Sequence, residues 1–131
     1  MMMLCVMTLT MLMAQKPATA PTLPDTPQGK HLQAWIAAFN SGDEKTFVDA
    51  QKKLLSAEAL AKKTDQDRSD LFKRMRGDFG TLKVDKVVKA SATEIVVEMP
   101  LKDGVKGVFR FTFEEKTPFK INGMGVEVNS R

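Results

Sequence analysis

"DLFKRMRGDFGTLKVDKVVKA", residues 70–90, holds the change of pattern that decides the fold. Up to Gly80, the apolar residues Leu71, Phe72, Met75 and Phe79 fall at the spacing of one helix face. Gly80 can take the left-handed conformation that stops a helix. Beyond it the apolar residues alternate with polar ones, as a half-buried strand requires. Helices are therefore expected before residue 80 and strands after it.

Downstream, residues 81–90 read as the first strand and "TEIVVEMPL" (93–101) as the second. "KDG" at 102–104 signals a hairpin. In "GVFRFTFEE" (107–115), Phe109, Phe111 and Phe113 share one face, and Val108, Arg110 and Thr112 the other. After a turn at Thr117-Pro118, "FKINGMGVEVNS" (119–130) reads as the fourth strand, with Gly123 and Gly125 marking a bulge or bend.

Upstream, Thr26 can cap a helix whose first position suits Pro27. Leu32, Trp35, Ile36 and Phe39 recur along it at helical spacing, and burying each contributes roughly 1.5–3 kcal/mol. Asn40-Ser41-Gly42 ends it. Ser41 and Glu44 have the spacing of a capping box for the next helix, and Asp43 is the competing cap. That helix carries Phe47, Val48, Gln51, Leu54 and Leu55 on one face, and "SAEALAKK" (56–63) continues it after a break near Ser56. Asp65 or Asp67 can cap the third helix. The order predicts an α+β fold: three N-terminal helices packed in a curved four-stranded antiparallel sheet.

The folded part is expected over 26–131, as one domain in a chain of 131 residues. Residues 1–14 are apolar apart from Thr8 and Thr10, too short to span a bilayer but suited to the apolar region of a signal peptide. Cleavage at Ala14-Gln15 would send the protein to the periplasm or the exterior. A docked tail, or lipid attachment at Cys5, are the other readings of this segment. Residues 15–25 form a proline-rich linker. Cys5 is the sole cysteine, so no intrachain disulfide is available.

Net charge is +4, from 20 Lys+Arg against 16 Asp+Glu, with acids and bases interleaved. Nucleic-acid binding would want a concentrated basic stripe, so that partner is not expected.

The helix order and "TPQGKHLQAWIAAFNSGD", together with "FGTLKV" and "PFKINGMGV", resemble the nuclear transport factor 2-like superfamily. Within it they resemble extracytoplasmic bacterial domains often joined to beta-lactamase-like serine hydrolases. The resemblance spans about residues 26–128 and implies a cone of helices wrapped by a curved sheet. It also implies pairing of two copies through the sheet. Separately, the outer sheet face, carrying Lys86, Glu94, Glu98, Arg110 and Thr112, is a candidate contact surface for a ligand or protein. No S-x-x-K nucleophile arrangement occurs in the sequence, so the accessory half of such a protein is expected without the hydrolase.

Enzymes of that superfamily work with Asp, His or Tyr inside the cone. Here there is no Tyr and one His. His31 lies in the first turn of the first helix. Asp78 lies at the end of the third, where an acid opposes the helix dipole. These two are the acid–base candidates. Metal-ligand spacings and a nucleophile elbow are both missing, so no metal, cofactor or covalent catalysis is expected. Trp35, Phe39, Phe72, Met75, Phe79, Phe109, Phe111 and Met124 would line a cone cavity and contact an apolar ligand if the cone is open. The sequence thus supports an exported, non-catalytic domain that binds a ligand or protein. The alternative is an isomerase, cyclase or hydratase acting in the cone with Asp78 and His31.

Overall fold

The computed structural model describes residues 22–129. The apolar first segment with Cys5, most of the proline-rich stretch and Ser130 lie outside the described residues. The order is α1 (Pro27–Asn40), α2 (Glu44–Leu54), α3 (Ala57–Ala61), α4 (Asp65–Phe79), β1 (Lys86–Ala90), β2 (Glu94–Pro100), β3 (Lys106–Phe113) and β4 (Ile121–Asn129). The class is α+β, as the change of pattern at Gly80 predicts. The described residues hold four α-helices where the spacing predicts three.

Thr26 caps α1 from an extended backbone, its Oγ1 accepting from the Gly29 N–H at 3.1 Å. The corner after α1 differs from the capping-box expectation. Ser41 keeps helical angles (φ −62°, ψ −24°), whereas an N-cap needs extended ones. It finishes α1 instead, its hydroxyl donating to the Ala38 carbonyl at 2.7 Å. Gly42 turns the chain at φ +76°. Asp43, extended, then caps α2 by accepting from the Thr46 N–H at 3.1 Å. Glu44 faces Lys73 of α4 at 3.7 Å.

The extra helix comes from Ser56. Leu55 leaves α2 in an extended conformation and bridges Ile121 at the start of β4. The Ser56 N–H donates to the Ile121 carbonyl at 2.8 Å, and its hydroxyl caps α3 while donating to Asn122 Oδ1 at 2.7 Å. A fully bonded, buried serine therefore separates α2 from α3 and pins both to β4. Thr64, rather than Asp65 or Asp67, caps α4. Its Oγ1 accepts from the Asp67 N–H at 3.1 Å, and Asp67 Oδ2 accepts from the Thr64 N–H at 3.0 Å. Replacing Thr64 by Ala is expected to cost about 0.5–2 kcal/mol in urea unfolding.

The sheet order is β1-β2-β3-β4, antiparallel throughout. Ile95, Val97, Met99, Phe109, Phe111 and Phe113 point to one face and are buried with Leu32, Trp35, Phe39, Phe47, Phe72 and Met75 of the helices. The first strand begins at Lys86 rather than Thr81. Asn40 explains the delay: its side chain donates to the Leu82 carbonyl at 2.7 Å and accepts from the Leu82 N–H at 2.8 Å. Those backbone groups are thus satisfied by α1, and Leu82 is buried beneath. Asn40→Ala is expected to remove both bonds and lower stability by about 1–3 kcal/mol, read from chemical denaturation.

In β4 the register shifts between Ile121 and Gly123, so the irregularity lies beside the first of the two glycines. A Cβ on Gly123 would lie 2.9 Å from Thr112 Oγ1. Farther along, Val126 and Val128 lie opposite Phe109 and Gly107, on the helix-facing side of the sheet. They stay 36% and 52% exposed because the helices do not cover this end of β4. The other sheet face is mostly polar, with Val96 and Val108 among its charged side chains. Glu94 pairs with Lys89 and with Arg110, each at 2.8 Å.

Carboxylates at and near the surface give this fold an acid sensitivity of definite sign. Hydrogen bonds from the Thr46 side chain and backbone hold the Asp43 carboxyl below its ordinary value. The Thr64 backbone and hydroxyl do the same for Asp67, and the Lys89 ammonium for Glu94. Groups lowered in the folded state stabilise it above the unfolded value of about 4, and this is lost as pH falls through the folded values. The melting temperature is expected to drop as pH is taken below about 4, less steeply in Asp67→Asn.

Candidate functional site

A cleft of about 260 Å³ opens where α1, α2, α3 and α4 meet the start of β4. Trp35 of α1 forms part of its wall. The indole is 2% exposed, with its ring set edge-on to Phe47 at 5.5 Å and Phe111 at 5.2 Å. Those contacts fix the direction of Nε1, which donates to Gln51 Oε1 at 3.5 Å. Gln51 lies one turn after Phe47 on the buried face of α2 and is 6% exposed. Because the indole is only a donor, it selects the Gln51 carbonyl oxygen and leaves the Nε2 amide as a donor facing elsewhere.

Arg68, in the first turn of α4, is also 6% exposed. Its Nη1 donates to the Lys63 carbonyl at 3.0 Å and its Nη2 to the Leu60 carbonyl at 3.4 Å, tying the end of α3 to α4. Nη2 also lies 3.7 Å from Asp65, whose other oxygen is 2.8 Å from Lys52.

Gln51 Nε2 and Arg68 Nε are buried and have no hydrogen-bond partner among the described residues. Each unpaired buried donor costs about 1–3 kcal/mol, more where the group is charged. Both residues line the same cleft, with apolar neighbours Leu55, Leu71, Ile121 and Met124. Lys62 and Lys63 stand beside them, so every charged side chain lining the cleft is a cation.

Of the residues expected to line a cavity, Trp35 and Met124 reach this cleft. Phe39, Phe72, Met75, Phe109 and Phe111 lie in the buried core. Phe39 and Phe47 each pack against Phe72, at 5.7 and 4.9 Å between ring centres. Phe79 is half-buried and sits edge-on to Phe109 at 5.7 Å. His31 is near the surface, its Nε2 donating to the Pro118 carbonyl at 2.9 Å. Asp78 is exposed in the last turn of α4. The cleft lining includes neither of these two, nor any Asp, Glu or His.

Gln51 and Arg68 are the residues that pattern reading passed over as chemistry. Their signal was present. Gln51 is the polar member of an apolar stripe, and Arg68 precedes Phe72 by one turn on the buried face of α4.

A wider groove of about 620 Å³ runs past Glu58, Glu94, Glu114 and Glu115. It is an open concavity with its acids partly engaged. Glu94 holds Lys89 and Arg110, and Glu114 accepts from the Lys120 N–H at 3.0 Å. Among the described residues, no three His, Cys, Asp or Glu side chains gather as a metal site would require. No described helix is long and apolar enough to cross a membrane. The chain matches no protein-family model and no curated protein.

Proposed function

We propose that this chain is an exported, non-catalytic binding domain with the cone architecture of the nuclear transport factor 2-like superfamily. Its ligand is a small molecule held in the Trp35 cleft. The observation that carries this reading is the pair of unpartnered, buried donors, Gln51 Nε2 and Arg68 Nε, in the lining of an otherwise largely apolar recess. A few directed polar groups in an apolar wall are what a binding pocket needs. Proton transfer by a carboxyl or imidazole would need one within reach of the ligand, and the lining supplies neither; its titratable side chains are the exposed Lys62 and Lys63, with Arg68. Export rests on the apolar first fourteen residues.

Trp35 is the single tryptophan and the chain has no tyrosine, so the emission comes from one ring, which sits between the core and the cleft. Titration with octanoate, octanol and octylammonium is expected to give a saturable change in Trp35 emission with at least one of them. No change with any of the three would overturn the binding reading.

A second contact surface belongs to the same proposal. Val126 and Val128 leave apolar area uncovered on the helix-facing side of β4, the edge strand among the described residues, which supports pairing of two copies at this end of the sheet rather than through its mostly polar outer face. Light scattering is expected to give twice the monomer mass, and Val128→Lys to reduce it. A monomer across the micromolar range would contradict the pairing.

A further inference from the structure

Resting on that binding reading, we infer that the cleft selects an amphipathic monoanion: a carboxylate on a short apolar body. The carboxylate is held by Gln51 Nε2 and Arg68 Nε, and the body lies against Trp35, Leu71 and Met124.

Four observations lead to this class. The unpaired atoms are both N–H donors, so the missing partner is an acceptor. A carboxylate is acceptor-only and offers two oxygens, one for each donor. The other groups nearby are already committed. Gln51 Oε1 holds the indole, and the two terminal nitrogens of Arg68 hold backbone carbonyls. Asn122 Oδ1 accepts from Ser56. Finally, Lys62, Lys63 and Arg68 are the charged groups in the lining. The acid nearest Arg68, Asp65, is shared with Lys52 and approaches Nη2, leaving Nε for the ligand.

Size narrows the class further. A volume of about 260 Å³ equals roughly nine waters at about 30 Å³ each, below the range that holds drug-sized ligands. A medium-chain or single-ring carboxylate fills this space, while a long lipid chain would extend beyond it into solvent.

The test compares three probes with the same apolar tail on the full chain: octanoate, octanol and octylammonium, by calorimetry and Trp35 emission. Octanoate is expected to bind at one site per chain, at least about tenfold more tightly than octanol and more tightly still than octylammonium. Gln51→Leu keeps the bulk of the side chain and removes one donor. It is expected to weaken octanoate about tenfold and octanol, whose uncharged hydroxyl is the weaker acceptor, by clearly less. Because Arg68 also ties α3 to α4, its variant is Arg68→Lys, which keeps the charge and loses Nε. It is expected to lower octanoate affinity by a similar factor, with circular dichroism checking the fold.

Octanol binding as tightly as octanoate would overturn the anion inference while leaving the binding domain standing. Octylammonium binding best would do the same. If none of the probes binds, both readings fall.

Discussion

Phe39→Ala is expected to destabilise the protein by about 3–5 kcal/mol, the largest effect of any single truncation in the core. Phe39 is completely buried where α1, α2 and α4 converge. Its ring stacks parallel to Trp35 at 5.8 Å and meets Phe47 and Phe72 edge-on at 5.7 Å each. The Arg76 guanidinium covers it at 5.7 Å, adding a cation–π contact. Removing the ring leaves a cavity bounded by other rigid rings, which cannot collapse into it as flexible side chains would. Urea unfolding followed by far-ultraviolet circular dichroism measures the loss. Phe79→Ala serves as the comparison: Phe79 is half-buried against Phe109 and is expected to cost clearly less. Equal losses would mean that the aromatic cluster is not the centre of the fold.

Ala59→Phe is expected to abolish ligand uptake, weakening octanoate by about a hundredfold, with little change in stability. Ala59 is half-buried on α3 and lines the cleft opposite the core. A phenyl ring there would occupy much of a space of about 260 Å³ without disturbing Trp35, Gln51 or Arg68. The Ala59 N–H remains bonded to the Ser56 hydroxyl whatever the side chain, so the cap of α3 survives. Loss of the Trp35 emission change at unaltered melting temperature would place the ligand in the cleft. An unaltered emission change would place it elsewhere.

The class of fold was legible from one feature, the switch of period at Gly80, because burial on one face imposes a periodicity that local sequence displays. Phe109, Phe111 and Phe113 alternate in the sequence and are all buried on one face. Two of the departures involve bonds between residues far apart in the chain. The Asn40 side chain engages the Leu82 backbone, while the Ser56 N–H engages the Ile121 carbonyl and its hydroxyl the Asn122 side chain, about half the chain away. Such pairings leave no periodic trace, so the late start of β1 was not visible, and the break near Ser56 was legible without the bonds that make α3 a separate helix. At Ser41 the local pattern fitted a cap, but the helix before it claimed the residue first.

The candidate site was only partly legible, for the same reason. Trp35 and Met124 stood out by their apolar character. Gln51 and Arg68 became informative only once burial and hydrogen-bond partners could be counted. A polar residue on an apolar helix face is ambiguous in sequence: it can be a satisfied core group, or a donor waiting for a ligand.

The most direct test is the indole N–H resonance of Trp35 in a nitrogen–proton correlation spectrum, where the single tryptophan gives one unambiguous peak. This N–H bonds Gln51 Oε1, the other end of the amide proposed to hold the ligand. Titration with octanoate is predicted to move the peak to saturation at one equivalent site, and to leave it in place in Ala59→Phe. A peak that stays fixed in the parent chain while octanoate binds by calorimetry, or an equal shift in Ala59→Phe, would contradict the assignment of the cleft as the binding site.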